Sequence, residues 1–435
     1  MSKTTIRKFK LKELVFRHMS GPSPTCEERS ISDTQEWGLL KTTAVVWNGW
    51  NPSAHKVPPK QYWNNKNIEV KKGDVIVTKA GPRQRVGVVV YVDETPPQLM
   101  VSGKMIGLRP DPKVVDGRVL AAALSSEKVQ RYIDSRTTGM AESQLNFTNE
   151  FLLNTEVAIP DFEQHPRLGK LISLLSEEAR KTEELIFKYQ NIRLGIMQDL
   201  FTRGITDTGS LRPKHNLSPE LYQKHSGTLL PKEWSIKTLG EITNPNHPIC
   251  YGLVQPGPHD WNGVPIIAIH NLKGSYEKLH YSSRSIESKF SRSRVKEGDV
   301  LLSVKATVGR VDVAPDGFSG NVSRDVARIR PIDNVRSKFL KYLLQSEHMQ
   351  KELMKIVVGS TRMELSINRL KEVPIYIPQP KEQEQIEKKV DAINQLIYSE
   401  EQYLEKINLS KSGLMHDILT GKASIATRKP EEAHV

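Results

Sequence analysis

Basic and amide side chains recur twice along this chain behind one type of turn. Lys79, Arg83, Gln84 and Arg85 follow the run Lys72-Gly73-Asp74-Val75-Ile76-Val77-Thr78. Lys305, Arg310, Asn321, Arg324 and Arg328 follow Glu297-Gly298-Asp299-Val300-Leu301-Leu302-Ser303. Guanidinium and ammonium groups pair with guanine edges or phosphate, and carboxamides with adenine edges, so these are candidates for base or backbone contacts with DNA. The competing reading is a set of solvated loop charges. Two further loops join the candidates: Thr138 to Gln144, through Gln144, and Gly359-Ser360-Thr361-Arg362, through Arg362.

Bond-making chemistry finds no set of residues to carry it. No G-x-x-x-x-G-K-[ST] phosphate loop, G-x-G-x-x-G or H-E-x-x-H occurs. The Asn-Pro pairs at 51–52 and 244–245 continue with Ser and Asn, not with the Pro-Tyr/Phe of a base-methylating enzyme. Glu69-Val70-Lys71 has the Glu-x-Lys form of some nucleases, but no suitable Pro-Asp precedes it, and it reads as a solvated strand edge. His259, His270 and His280 form the densest histidine group and read as structural or DNA-contacting. Cys26 and Cys250 are too few for a disulfide framework or a Cys-based zinc site. Trp47, Trp50, Trp63 and Trp261 are assigned to packing rather than stacking. No metal and no cofactor is expected on this chain.

The elements that must position these residues follow from an internal repeat. Gly195-Ile196-Met197-Gln198-Asp199-Leu200-Phe201-Thr202 returns as Gly413-Leu414-Met415-His416-Asp417-Ile418-Leu419-Thr420, 218 residues later. At the same offset Lys188 meets Lys406, Leu175 meets Ile393, Leu168 meets Ile386 and Pro160 meets Pro378. The Gly-Asp runs repeat upstream, each followed by a Lys-Ala pair. Gly-Asp before three apolar residues and a hydroxyl residue reads as a tight turn feeding a buried strand. Four features in the same order make the chain two copies of one design.

Each copy begins with short β-branched runs such as 86–92 and 264–269, broken by turn signals, and continues into helical patches at 120–133 and 337–356. That describes a mixed α/β (α+β) domain. Each copy then closes with a long helix. From Arg167 to Leu200 there is no Pro, and heptad rows run through 168, 175, 182, 189, 196 and through 171, 178, 185, 192. Ile386, Val390, Ile393, Leu396, Ile397, Leu404, Ile407 and Leu414 form a comparable stripe in the second copy. Such helices, about 50 Å long, are expected to pack antiparallel as a coiled coil through Leu175, Leu185, Ile192, Ile393, Leu404 and Leu414. The expected division is a first domain at 1–160, a helix at 161–204, a connector at 205–232, a second domain at 233–378, a helix at 379–421 and a disordered tail at 422–435.

Charge sharpens the division of labour. The 435 residues carry a net charge of +13, while 167–200 and 381–420 together sum to −2, leaving +15 on the rest. The basic surface therefore belongs to the domains and connectors, which suits a polyanionic partner. No run of 18 apolar residues exists, and the basic N-terminus lacks the apolar stretch of a signal peptide, so no membrane partner and a cytoplasmic location are expected.

Two α/β domains, each followed by a helix ending in G-[IL]-M-x-D-[IL]-[FL]-T, resemble the specificity subunit of type I restriction–modification systems. Lys232 to Ile242 resembles the start of that family's second target-recognition domain, Pro378 to Ile386 the start of its second conserved helix, and Gly413 to Gly421 that helix's end. The first copy departs from the pattern, with a degraded counterpart at Gln164-His165-Pro166-Arg167-Leu168. The resemblance implies that each domain reads one half of a split target in double-stranded DNA. It further implies that the helices fix the spacing and dock two methyltransferase subunits, with restriction/translocase subunits joining them. S-adenosylmethionine, Mg²⁺ and ATP would sit on those partners, and the adenine methylated at N6 would flip into the methyltransferase. Helices of about 50 Å exceed one DNA turn of about 34–36 Å, as two separated readers need. A stand-alone bipartite DNA-binding regulator, or a coiled-coil scaffold for acidic proteins, are the alternatives.

Overall fold

The Gly-Asp runs fold as their residue types dictate. In the computed structural model, which describes residues 5–47, 49–139, 143–225, 227–274, 276–359 and 363–423, Gly73 and Gly298 take φ of +95° and +77°. That left-handed conformation is open to glycine at little cost. The next residue locks the turn: the Asp74 carboxylate accepts from the Lys71 backbone N–H at 2.8 Å, and Asp299 from that of Lys296 at 2.9 Å. Both carboxylates are buried and each is gripped by a guanidinium from the neighbouring strand. Arg109 reaches Asp74 at 2.7 and 2.8 Å, and Arg330 reaches Asp299 at 2.7 and 2.7 Å.

The chain divides into two compact units, Met1–Ile186 with Glu400–Val435, and Phe187–Ser399. In the first unit Val75–Thr78 is central to an antiparallel sheet ordered Val15–Met19, Met105–Pro110, Val75–Thr78, Val89–Tyr91. In the second unit Val300–Ser303 lies between Val326–Ile329 and Val311–Val313, with Cys250–Tyr251 on the outer edge. Both central strands are apolar on two faces because both faces are covered. Val75 and Val77 enter one core cluster and Ile76 another. Val300 and Leu302 likewise face away from Leu301. A continuous apolar run in place of strict alternation is the signature of such burial. Each unit is zipped at its ends by an antiparallel pair: Ile6–Lys10 on Glu156–Pro160, and Ser235–Thr238 on Pro374–Ile377. The repeat is thus a duplication of one mixed α/β domain.

The long helices are His165–Thr202 and Pro380–Leu419, and each unit holds a segment of both. In the first unit Leu168 and Ile172 share a core with Met415, Ile418 and Leu419. There Lys411 Nζ donates to Ser176 Oγ at 2.9 Å and Tyr403 OH to Glu178 at 3.2 Å. In the second unit Met197, Leu200 and Phe201 share a core with Ile386, Val390, Trp234 and Phe339, and Arg193 Nε donates to Asn394 at 2.7 Å. In both units residue numbers rise on one segment as they fall on the other, so the segments run antiparallel.

One helical row differs from the sequence expectation. Ile393 is 6% exposed, and Leu175, Leu185, Leu404 and Leu414 are half-buried, but Ile192 is 40% exposed. The buried row falls one residue later, through Ile172, Ala179 and Ile186, and puts Arg193 where Ile192 was expected. One residue is a rotation of about 100° on a helix, and the apolar stripe is wider than the seam it feeds. The connector is anchored by charge: buried Arg212 bonds Glu382 at 2.5 and 3.0 Å, and Glu382 also accepts from the Ile205 backbone N–H at 2.7 Å.

Two outcomes check this architecture. Asp299→Ala strands Arg330 and should lower stability in urea unfolding by roughly 3–5 kcal/mol, with part regained in the Asp299→Ala/Arg330→Met double variant. Ile418→Ala should speed amide exchange in Val75–Tyr91 and leave Val300–Ile329 protected, because its side chain fills the first unit's core alone.

Candidate nucleic-acid interface

The strand that leaves each Gly-Asp turn is interior to its sheet, and at its far end the chain assembles a small platform. In the second unit, Val304 donates to Asp325 O at 2.9 Å, Leu365 to Val304 O at 2.8 Å, and Arg324 to Leu253 O at 2.8 Å, so three loops meet. Lys305 pairs with Glu364 at 2.9 Å, and its Nζ lies 5.3 Å from the Tyr251 ring centroid. Arg324 stands 54% exposed, its Nε 3.6 Å from Asp325. Arg310 returns on the same loop, half-buried, its backbone N–H bonded to Ser303 Oγ at 2.8 Å. Ala306 holds φ of +59°, a strained conformation for a residue with a Cβ and one that concentrates at functional sites.

The first unit repeats the platform. Ala80–Gly81 pairs with Leu145–Asn146, and the Lys79 and Ala80 backbone N–H groups both donate to Lys104 O. Exposed Gln84, Lys104 and Gln144 and half-buried Arg85 surround this edge. Arg83 is ion-paired to Asp134. Lys79 is turned inward, its Nζ bonded to Ser20 Oγ at 3.1 Å and Asn149 Oδ1 at 2.8 Å, and burial holds its pKa below the ordinary lysine value.

Two sequence candidates are corrected by burial. Asn321 and Arg328 are each 0% exposed. The Asn321 amide donates to Glu287 at 2.9 Å and to Phe290 O at 3.0 Å, and its carbonyl accepts from Ser293 Oγ at 2.7 Å. Arg328 donates to the carbonyls of Arg292 at 2.9 Å, and of His247 and Pro248 at 3.1 Å. Strand Val326–Ile329 is covered on both faces, so no side chain on it reaches solvent. Arg362 lies outside the described residues.

The tryptophans divide. Trp50 and Trp63 pack as expected, with Nε1 donating at 2.8 Å to Glu94 O and Pro58 O respectively. Trp47 is exposed, and Trp261 is 84% exposed with the His259 ring against it at 4.3 Å. Sequence reasoning also passed over Tyr251. Its signal was the following glycine: a Cβ on Gly252 would lie 1.7 Å from Val322 O, so the loop seats only with glycine there. Among the described residues no group of three or more His, Cys, Asp or Glu could hold a metal ion, and no helix is long and apolar enough to cross a membrane.

Known proteins share this design. The family model for the type I restriction modification DNA specificity domain matches residues 231–409. That span holds the Gly298-Asp299 turn, the Tyr251–Lys305–Arg324 platform and most of the second long helix. Residues 231–409 are thus similar to the type I restriction modification DNA specificity domain. It is 23% identical over 265 residues to the EcoBI specificity subunit of Escherichia coli, covering 60% of this chain and 56% of that one. It is 22% identical over 344 residues to the MjaVIII specificity subunit of Methanocaldococcus jannaschii, covering 75% of each. The fold matches the crystal structure of a type I restriction–modification S subunit from M. genitalium with a TM-score of 0.56 at 13% identity, covering 98% of this chain and 97% of that one. The first match therefore spans about half of its relative's length.

Burial separates the candidates experimentally. Arg328→Met should cost roughly 2–4 kcal/mol, because three backbone carbonyls lose their donor. Arg324→Ala should change stability by less than about 0.5 kcal/mol. Paired thermal melts of the two variants test this.

Proposed function

We propose that this chain reads a two-part sequence in double-stranded DNA, one half-target per unit, and directs adenine N6 methylation and restriction by partner subunits while catalysing neither. The observation that carries this reading is the duplicated platform. In each unit, basic side chains, joined in the first unit by the amides of Gln84 and Gln144, stand on loops fixed to a sheet buried on both faces, as base reading from a rigid scaffold requires. Gln84 and Gln144 are the first unit's candidates for adenine edges. Arg324, Lys305 and Arg310 are the second unit's candidates for guanine or phosphate.

Helices of 38 and 40 residues are roughly 57 and 60 Å long at 1.5 Å per residue, more than one duplex turn. Exposed Leu174, Phe187 and Leu194 on the first helix, and Leu396, Tyr398 and Leu409 on the second, offer apolar area that two methyltransferase subunits would cover. Restriction/translocase subunits would join that complex. The methyl donor, Mg²⁺ and ATP belong to those partners, and the reading puts the chain in the cytoplasm with host DNA.

The test is long-read detection of modified adenines with this gene present and deleted. Loss of methylation at one split motif on deletion is the expected result. An unchanged methylome, in cells that express the methyltransferase, would sink the reading. Arg324→Ala should reduce methylation at that motif in the same assay while the protein stays folded.

A further inference from the structure

The corrected residues Asn321 and Arg328 point to a second surface. Both brace one short segment from beneath. Asn321 holds Glu287, Phe290 and Ser293 through three hydrogen bonds, and Arg328 holds the Arg292 carbonyl. Glu287 and Ser293 are themselves buried. The one acidic side chain of the stretch, Glu287, is spent on Arg294 at 2.8 Å. What remains outward is cationic: Arg284, Lys289, Arg292 and Lys296 are exposed, and the structure gives none of them an acidic partner among the described residues.

We infer that residues 284–296 of the second unit form a phosphate grip for duplex DNA, separate from the Tyr251–Lys305–Arg324 platform. This rests on the DNA-reading function proposed above. Three physical points favour it over a solvated charge run. A braced segment loses little conformational freedom when it meets a partner, whereas a loose basic loop loses much. The guanidinium of Arg328 is fully buried against neutral carbonyls and Cys250 Sγ at 3.3 Å. Such a site costs stability, and its uncompensated charge adds to the positive field under the segment. Finally, the exposed polar groups between the cations are hydroxyls, Ser285, Ser288 and Ser291. Serine with Lys and Arg is the chemistry of backbone contacts, which set position without reading sequence. A duplex carries one phosphate charge per about 1.7 Å of axis, dense enough to meet several cations on one segment.

The test uses the full chain co-expressed with its methyltransferase subunits and measures duplex binding against salt concentration. It compares DNA containing the split methylation motif with DNA lacking it. Each lost phosphate contact removes about 0.9 from the slope of log affinity against log salt, so Arg284→Ala/Lys289→Ala/Arg292→Ala should flatten the slope by about 2–3. Affinity should fall by a similar factor on both DNAs, leaving their ratio unchanged. Arg284→Lys/Arg292→Lys, which keeps the charge, should keep the slope. A wild-type slope in the triple alanine variant overturns the grip, and so does a collapsed sequence ratio with unchanged slope, which would make the segment a base reader. If the wild-type complex shows no preference for the motif, the DNA-reading proposal itself fails, an outcome separable from the other two.

Discussion

Each unit of this protein needs a helix end from the other half of the chain to close its core. Met415, Ile418 and Leu419 complete the first unit, and Met197, Leu200 and Phe201 complete the second. Fully burying an aliphatic side chain contributes about 1.5–3 kcal/mol, so three of them weigh heavily against a typical net stability of about 5–15 kcal/mol. The G-[IL]-M-x-D-[IL]-[FL]-T segments are therefore core closures, and that is why they recur at a fixed offset. Strand-rich parts tolerate insertions in their loops. A helix cannot gain a residue without turning its apolar side chains about 100° away from the core they fill.

Inside each unit the Gly-Asp turn does a comparable job at shorter range. Its carboxylate ties the turn to its own backbone and to an arginine one strand away, so a buried sheet carries a paired charge at the same place twice. Such a pair is weak evidence for stability by itself, because desolvation offsets much of the attraction. Its geometry nevertheless fixes which strands can be neighbours: Arg109 and Arg330 meet their partners only in this register. The platform at the far end of the same strand inherits that precision.

Burial sorts the cations into two kinds. Lys79, Arg193, Arg328 and Lys411 are turned inward, and burial lowers the pKa of Lys79, Arg193 and Lys411. These hold loops and helix segments in place. Arg324, Lys289 and Arg292 stand outside without such duties, on surfaces the first kind supports. The excess positive charge of the domains is thus partly scaffold and partly left facing solvent.

Much of this was legible in the residues. The duplication, the mixed α/β class, the two long helices and the buried strands after Gly-Asp are local patterns, and local patterns survive without knowledge of the neighbours. The location of the platform was legible too, because basic loops followed a strand that had to be buried. What packs against a strand or helix is a nonlocal matter. Asn321 and Arg328 looked like readers because their types suit DNA, yet Val326-Ala327-Arg328-Ile329 is covered on both faces. Ile192 looked like a seam residue until the cores drew the helix round by one position. Trp261 looked like packing, yet its side chain stands 84% exposed beside the His259 ring. The sequence determined which elements form and where charge is carried. Only the tertiary structure decided which charges face water, since exposure belongs to whatever the rest of the chain leaves uncovered.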